Sequence, residues 1–194
     1  MSLFLASQSP RRRELLTQIG LSFDVLDVHV DETPAPGEGA IDYVHRVARE
    51  KAGAGLMQVA AVPNALVLGA DTEVVIDGMI FGKPADATDA TRMLRLLSGR
   101  THQVMSAVAI VSAAREVEAL CISEVTFALL DARTIADYVA TGEAFGKAGA
   151  YAIQSALAGW IEHIEGSYSG IMGLPLFETA QLLQRAGVAT ALTP

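Results

Sequence analysis

Three arginines lie in the first turn of a predicted helix, where cations are electrostatically unfavourable. Ser9 suits the N-cap and Pro10 the first helical position, and the apolar spacing that follows stops at Gly20. The helix N-terminus is partially positive, so each cation among residues 11–13 should cost about 0.3–1 kcal/mol. A bound phosphate would reverse that sign, and the strand-like run 3–6 places the arginines in a strand-to-helix loop. The sequence therefore predicts an anion site, with a solvated basic turn as the alternative.

Further charged residues could act together with this anion site. Asp71 follows the buried apolar run 66–70 and is expected at a strand end, where α/β folds present functional side chains. It could bind a divalent metal or deprotonate water, and Glu32 in an acidic loop could supply a second oxygen ligand. Lys51 in a predicted helix and Lys83 after a predicted hairpin could balance phosphate charge. The alternatives are an Asp that caps a turn and lysines on a solvated surface.

Composition excludes several classes of protein. The chain has 194 residues, 51% of them hydrophobic, and is expected to form a single domain over 1–194. Its formal charge of −8 argues against a nucleic-acid partner, because phosphate-backbone affinity needs an excess of Lys and Arg. One cysteine, Cys121, excludes an internal disulfide and a four-cysteine zinc site. With no signal peptide and no long apolar run, the sequence predicts a cytoplasmic protein without a membrane partner.

Hydrophobic periodicity predicts a mixed sheet covered by helices. Predicted strands span residues 3–6, 23–28, 66–70, 74–81, 103–111 and 117–130, the fourth being a hairpin around an Asp-Gly turn. Predicted helices span 10–19, 41–56, 86–97, 131–139 and 175–185, and the last third is otherwise predicted to be loop. Neither a Gly-x-Gly-x-x-Gly nor a P-loop pattern occurs, and the four histidines show no metal-ligand or triad spacing.

Seven short motifs occur in one order along the chain. They are Ser7-x-Ser9-Pro10-Arg11-Arg12, Ala48-Arg49-Glu50-Lys51-Ala52, Gly69-Ala70-Asp71-Thr72, Gly82-Lys83-Pro84, Ser98-Gly99-x-Thr101-His102-x-Val104, Lys147-Ala148-Gly149-Ala150-Tyr151 and Gly173-Leu174-Pro175-Leu176. Over nearly its whole length the chain thereby resembles the Maf family. The resemblance implies a Maf/Ham1-like α/β fold, with a long curved mixed sheet flanked by helices and two lobes around a central cleft. It also implies a homodimer and a nucleoside triphosphate pyrophosphatase, which releases pyrophosphate and leaves the monophosphate.

Subgroups of that family differ at three positions, occupied here by Arg11, Thr72 and Gln154. The combination resembles the type that acts on dTTP and UTP, with CTP or modified pyrimidine nucleotides as further candidates. A neutral amide at Gln154 can both donate and accept, which fits the imide edge of uracil or thymine. The alternative is the 7-methyl-GTP type, which carries an aromatic residue at the first position and an acid at the third.

The resemblance and the residue chemistry together predict a mechanism. Mg²⁺ or Mn²⁺ is expected between Glu32, Asp71 and the triphosphate, with Asp71 as proton acceptor for a water that attacks the α-phosphorus. Cations and hydroxyls are expected to hold the phosphates: Arg11, Arg12, Lys51, Lys83, Ser7 and Ser9. The rival hypothesis is a non-enzymatic nucleotide-binding regulator, for example of cell division, which needs the arginine loop but not Asp71.

Two residues depart from the family pattern. Ser155 stands where glycine usually follows the glutamine, and Gly146 stands where an acid usually precedes Lys147. Ser155 is expected to narrow the base pocket or to exclude a positive φ.

Overall fold

The protein is described by a computed structural model that covers residues 1–191, so the last three residues of the predicted domain, up to Pro194, lie outside the described part. The strands are β1 Ser2–Leu5, β2 Asp24–Val25, β3 Ala65–Ile76, β4 Met79–Phe81, β5 Thr101–Val111, β6 Glu116–Phe127 and β7 Ile161–Glu165. The helices are α1 Pro10–Gln18, α2 Ala40–Gln58, α3 Ala87–Leu97, α4 Ala132–Ala140, α5 Tyr168–Met172 and α6 Leu176–Arg185. No helix within residues 1–191 has both the length and the apolar character that crossing a membrane requires.

The strands form one mixed sheet in the order β2-β1-β3-β5-β6-β7, with β4 paired to β3 as a hairpin. β1 runs parallel to β2 and β3, whereas the β3–β4, β3–β5, β5–β6 and β6–β7 pairs are antiparallel. The hairpin turns at Asp77 and Gly78, both with positive φ, as a two-residue Asp-Gly turn requires. The predicted α/β class, a mixed sheet flanked by helices, is confirmed.

One edge of β3 is interrupted at its centre. β1 pairs with residues 65–68 and β4 with residues 74–76 on that edge, while β5 pairs with residues 67–75 on the other. Between β1 and β4, no strand in the described part of the chain pairs with residues 69–73. The predicted strand end before Asp71 is therefore wrong, because β5 continues to pair with β3 through Asp71 and beyond. Asp71 lies in mid-strand, beside a gap in the sheet.

Helix α2 covers one face of β3 at very close range. A Cβ on Gly69 would collide with the backbone of Ala48 and Ala52, so the helix and strand approach as closely as they do because residue 69 has no side chain. Small and branched apolar side chains fill the remaining interface: Val44, Ala48, Ala52, Val75, Ala107 and Ala109. Side chains alternate along a strand, so Asp71 and Glu73 share this face with Gly69.

The opposite face of the sheet carries two apolar clusters. One packs α1 and α6 on the sheet, with Leu16, Leu68 and Leu183 fully buried. The other packs α3 and α4 on the second half of β3 and includes Leu94 and Ile135. Partly buried Met172 contacts both clusters and so connects them.

The C-terminal third departs most from prediction, since β7 and α5 occupy segments that were predicted as loop. Helix α5 spans five residues, too few to produce a helical apolar period. Strand β7 pairs with β6 across a bulge at Thr126 and Phe127, and none of its residues is fully buried. Both elements therefore carry weak sequence signals.

Candidate active site

A cleft of about 430 Å³ opens beside the unpaired stretch of β3, a volume within the usual range for small-molecule sites. The elements that border the gap contribute its walls, with α1 following β1 on one side and the segment after β4 on the other. All ten predicted site residues line this cleft: Ser7, Ser9, Arg11, Arg12, Glu32, Lys51, Asp71, Thr72, Lys83 and Gln154. The fold thus brings the dispersed motifs to one place.

The cleft has a charge balance opposite to that of the whole chain. The chain holds 14 Lys and Arg against 22 Asp and Glu. Among the described residues that line the cleft, five are Lys or Arg and four are acids: Arg11, Arg12, Lys51, Lys83, Lys147, Asp27, Glu32, Asp71 and Glu73. A concave site with this local excess of cations favours a polyanionic ligand.

Lys51 and Glu32 form the centre of an ion-pair network. Lys51 Nζ donates to Asp71 Oδ1 at 2.8 Å and lies 2.7 Å from Glu32 Oε1. Lys83 Nζ donates to Glu32 Oε2 at 2.5 Å. Burial opposes ionisation of Glu32, but the hydrogen bonds from the two lysines outweigh it and lower its pKa to about 2. Glu32 is therefore ionised, and each of its two oxygens already bonds the ammonium group of a lysine.

The two oxygens of Asp71 have different surroundings. Oδ1 accepts the bond from Lys51, whereas Oδ2 is buried and receives no hydrogen bond from any described residue. Only 7% of the side chain is exposed. A buried acceptor without a donor is costly, so Oδ2 is the atom most available to a water, a proton or a cation.

Arg12 is held rigidly beneath the cleft. Its Nε donates to Gly173 O at 2.8 Å, Nη1 to Ser7 Oγ at 3.3 Å and Nη2 to Thr72 Oγ1 at 3.3 Å. The residue is 9% exposed, and burial lowers the pKa of its guanidinium while Asp71 opposes that change. Three hydrogen bonds to the protein fix the planar guanidinium group, so its remaining N–H groups have a fixed orientation.

Thr72 and Gln154, both predicted to set specificity, occupy different environments. Thr72 follows Asp71 and so points to the other sheet face, where its hydroxyl is 2.8 Å from Ser106 Oγ and accepts from Arg12. Gln154 is exposed at the cleft wall. Arg11 is half-buried there, and burial lowers its pKa. Thr72 therefore contacts Arg12 directly, whereas Arg11 and Gln154 present their side chains at the walls.

Sequence reasoning missed three cleft residues. Glu73 is 7% exposed, its Oε2 has no donor among the described residues, and burial together with the charge of Asp71 raises its pKa to about 9. Lys147 is close enough to Arg11 for mutual repulsion, which adds to burial in lowering the Lys147 pKa. Tyr151 meets His102 Nε2 at 2.7 Å. If the strand had been predicted to continue through Asp71, the alternation of side chains would have placed Glu73 on the same face as Asp71.

The two departures from the family pattern have little effect on the cleft. Ser155 has φ −84°, and its hydroxyl donates to Ala152 O at 2.7 Å and caps the 3₁₀ turn Ala156–Trp160. Ser155 is not among the residues that line the cleft, and local hydrogen bonds hold its hydroxyl, so the structure gives no support to the expected narrowing of the base pocket. Gly146 lines the cleft with φ +69° and open space beside it.

The carboxylates fit a divalent cation shared with a bound phosphate. Within residues 1–191, no group of three or more His, Cys, Asp or Glu side chains is arranged to hold a metal on its own. Lys51 contacts both Glu32 and Asp71, the two predicted ligands. The buried oxygens without donors, Asp71 Oδ2 and Glu73 Oε2, are nevertheless hard ligands of the kind Mg²⁺ prefers, and Mg²⁺ commonly uses one or two carboxylates plus substrate phosphates.

Fold and cleft together define an α/β protein with a cationic, carboxylate-bearing site beside an interrupted sheet edge. Residues 2–186 match the Maf family, described as Maf-like protein, and the chain belongs to this family.

Similar proteins extend over nearly the whole chain. The dTTP/UTP pyrophosphatase of Xanthomonas campestris is 56% identical over 187 residues, covering 95% of this chain and 98% of that protein. Those of Aromatoleum aromaticum and Cupriavidus metallidurans are 54% and 53% identical, covering 95% and 96% of this chain and 95% and 97% of theirs. The Staphylococcus aureus Ham1 structure has a TM-score of 0.45 and 14% identity, covering 66% of this chain and 72% of that one, so the family assignment rests on sequence.

Proposed function

We propose that this chain is a nucleoside triphosphate pyrophosphatase that hydrolyses dTTP and UTP to the monophosphate and pyrophosphate. The observation that carries the proposal is the buried Asp71 carboxylate in a cationic cleft, bonded to Lys51 at Oδ1 and without a donor among the described residues at Oδ2. The relatives above, named dTTP/UTP pyrophosphatases, support the same activity.

Cations on both walls of the cleft bind the triphosphate. Arg11 and Lys83 are the more accessible, while Arg12 is fixed beneath them, and Ser7 and Ser9 lie in the loop before α1. Guanidinium groups match phosphate oxygens with paired N–H bonds, whereas lysine acts as a compact charge. These groups stabilise the negative charge that accumulates on the departing pyrophosphate.

Asp71 prepares the nucleophile. Its Oδ2 accepts a proton from a water molecule while Lys51 holds Oδ1 in place. The water oxygen forms a bond to the α-phosphorus, and the bond from that phosphorus to the α–β bridging oxygen breaks. The bridging oxygen leaves with pyrophosphate, and positioning and electrostatics supply most of the acceleration.

A divalent cation, Mg²⁺ or Mn²⁺, belongs to this proposal, with Asp71 and Glu32 as the predicted ligands. When bound, it neutralises phosphate charge and polarises the reacting phosphoryl group. Lys51 and Lys83 bond both oxygens of Glu32, so this carboxylate also fixes the two ammonium groups relative to Asp71.

Base preference rests on Gln154 and Arg11, which both line the cleft, with Thr72 acting through Arg12. The Gln154 amide fits the alternating donor and acceptor edge of uracil and thymine. A carboxylate would instead suit a cationic methylated purine, and this chain has none at that position.

A nucleotide panel tests the proposal. Purified protein is incubated with UTP, dTTP, CTP and 7-methyl-GTP, each with Mg²⁺ or Mn²⁺, and released pyrophosphate is measured. The highest kcat/KM is expected for dTTP and UTP. A preference for 7-methyl-GTP would refute the base assignment, and the absence of pyrophosphate from every nucleotide would favour a non-enzymatic regulator.

The homodimer implied by the family resemblance and a cytoplasmic location are part of the same proposal. Nucleoside triphosphates are cytoplasmic metabolites, and a single buried cysteine, Cys121, is typical of a reducing compartment. Light scattering on the purified protein measures the oligomeric state, with a mass of twice 20.4 kDa expected.

A further inference from the structure

Building on the pyrophosphatase function proposed above, we propose that Glu73 is a further ligand of the divalent cation, which its Oε2 binds beside Asp71. Glu73 lies outside the predicted ligand set of Glu32 and Asp71. Its placement follows from the course of β3 through the cleft.

Glu73 and Asp71 present their carboxyl groups to the same space. They are two residues apart on one continuous strand, so their side chains leave the same face and their Cα atoms are about 7 Å apart. Both residues line the cleft, and they are 7% and 5% exposed. The Glu side chain is one methylene longer, which allows its carboxyl group to reach toward that of Asp71.

The hydrogen-bond pattern distinguishes Glu73 from Glu32. Both Glu32 oxygens already bond lysine ammonium groups, whereas Glu73 Oε2 and Asp71 Oδ2 are buried without a donor among residues 1–191. A cation that bound through Glu32 would compete with Lys51 and Lys83 for both oxygens. One that bound through Glu73 and Asp71 would satisfy two oxygens that otherwise have no partner.

A purely structural role for Glu73 accounts poorly for its surroundings. Burying a carboxyl group with an unpaired oxygen is unfavourable, and an apolar side chain would serve packing better at this position. The carboxyl group lies beside Gly82, since a Cβ on residue 82 would be 4.0 Å from Glu73 Oε2, an ordinary contact distance. The strand thus carries a costly, buried carboxyl group in the lining of the cleft.

Mn²⁺ binding without turnover tests the inference. Mn²⁺ is titrated into wild-type protein and into Glu73→Gln, and free Mn²⁺ is followed by electron paramagnetic resonance. The titrations are made without nucleotide and again with α,β-methylene UTP, in which the scissile bond is replaced. We expect Glu73→Gln, which keeps the shape of the side chain, to weaken Mn²⁺ binding about tenfold or more.

Glu124→Gln is the matched control, because Glu124 lies exposed on β6 outside the cleft and should leave the Mn²⁺ affinity unchanged within about twofold. If Glu73→Gln does not fold, Glu73→Met replaces it with an apolar side chain suited to a buried strand. Wild-type affinity for Mn²⁺ in either folded variant would overturn the inference. So would wild-type protein that shows no saturable Mn²⁺ binding under either condition.

The readouts separate this inference from the proposed function. If the wild-type enzyme is active and the Glu73 variants bind Mn²⁺ normally, Glu73 is not a ligand of the cation and the pyrophosphatase proposal stands. Conversely, Mn²⁺ binding that depends on Glu73 in a protein that cleaves no nucleotide would remove the proposed function and leave the cation site.

Discussion

The two carboxylate oxygens of Asp71 differ in their surroundings, because only one of them bonds Lys51. The bond from Lys51 fixes Oδ1, and the second oxygen remains without a donor among the described residues. Fixed orientation matters because a reacting water must be held within hydrogen-bond reach and in line with the bond that breaks.

The variant Asp71→Asn distinguishes the orientation of the side chain by Lys51 from its ability to accept a proton. The amide oxygen can still accept from Lys51, but the side chain no longer takes a proton, so kcat should fall about 100-fold or more. Nucleotide affinity, measured by calorimetry with α,β-methylene UTP, should stay within a few fold. Asp137→Asn on the exposed face of α4 serves as control. Turnover by Asp71→Asn at the wild-type rate would contradict the role of this carboxylate.

Arg12 differs from the neighbouring Arg13 in burial and bonding. Three side-chain bonds hold Arg12, whereas Arg13 is exposed. Arg12→Lys replaces the planar guanidinium by one ammonium group, which cannot replace the donors to both Gly173 O and Thr72 Oγ1. KM should therefore rise about tenfold, and the free energy of unfolding should fall by about 1–3 kcal/mol. Kinetics and urea denaturation measure both. Arg13→Lys should change neither, and an equal effect of the two variants would show that only net charge matters.

Much of the site was accessible from the sequence because eight of its ten predicted residues belong to short motifs in a fixed order, with Glu32 and Gln154 outside them. All ten predicted residues line the cleft, although their roles remain predictions. Glu73 was missed because the sequence was taken to end a strand at residue 70, which hides the alternation from Asp71 to Glu73. The hydrogen bonds between Thr72, Arg12 and Gly173 were also beyond prediction, since they join segments distant in sequence.

At the scale of elements, long amphipathic segments were predicted well and short ones poorly. Helix α2 has a clear helical period over 19 residues, and β5 and β6 form largely apolar runs of 11 and 12 residues. Helix α5 and strand β7 acquire their structure from neighbours, which no local pattern records. The length of β3 depends likewise on β5, because pairing across the sheet extends the strand through polar residues.

The contact between α2 and β3 gives a prediction at this scale. Gly69→Ala places a methyl group against the backbone of Ala48 and Ala52, so α2 must move and carry Lys51 away from Asp71. We expect the free energy of unfolding to fall by about 1–3 kcal/mol, with a parallel loss of kcat. Denaturant titration and steady-state kinetics measure these effects.

Gly53→Ala is the matched control on α2, because the added methyl meets no neighbour. Alanine favours a helix interior over glycine, so this variant should gain about 0.5–1 kcal/mol and keep wild-type activity. If Gly69→Ala were as stable as Gly53→Ala, the close helix–strand approach would not be required.

At the scale of the whole molecule, buried His102 links stability to pH. The imidazole packs against Phe127 and Tyr151. Burial lowers the pKa of His102 from its ordinary 6.5 to about 4. At His102 the unfolded chain therefore binds more protons between these values, and the contribution of this residue to the free energy of unfolding decreases as pH falls through that interval, by about 3 kcal/mol in total. Above about pH 7 the imidazole is neutral in both the folded and the unfolded state, so His102 no longer makes stability depend on pH.

Urea denaturation between about pH 5 and pH 7.5 tests this dependence. His102→Gln removes the titrating ring, so the difference in free energy of unfolding between wild type and this variant should shift against wild type as the pH falls from about 7.5 to about 5. His163→Gln, at an exposed position of β7, should retain the wild-type slope. A wild-type slope in His102→Gln would assign the acid sensitivity to other groups.

The interrupted edge of β3 divides the cleft into stationary and adjustable parts. Continuous pairing with β5 anchors the segment that bears Asp71, whereas Glu32 and Gln154 belong to connecting segments. Accommodation of a ligand is thus confined to the surrounding loops while the reacting groups stay in place. An exchange at Gln154 can accordingly alter selectivity for the heterocycle between related sequences without any change in the strand that bears Asp71.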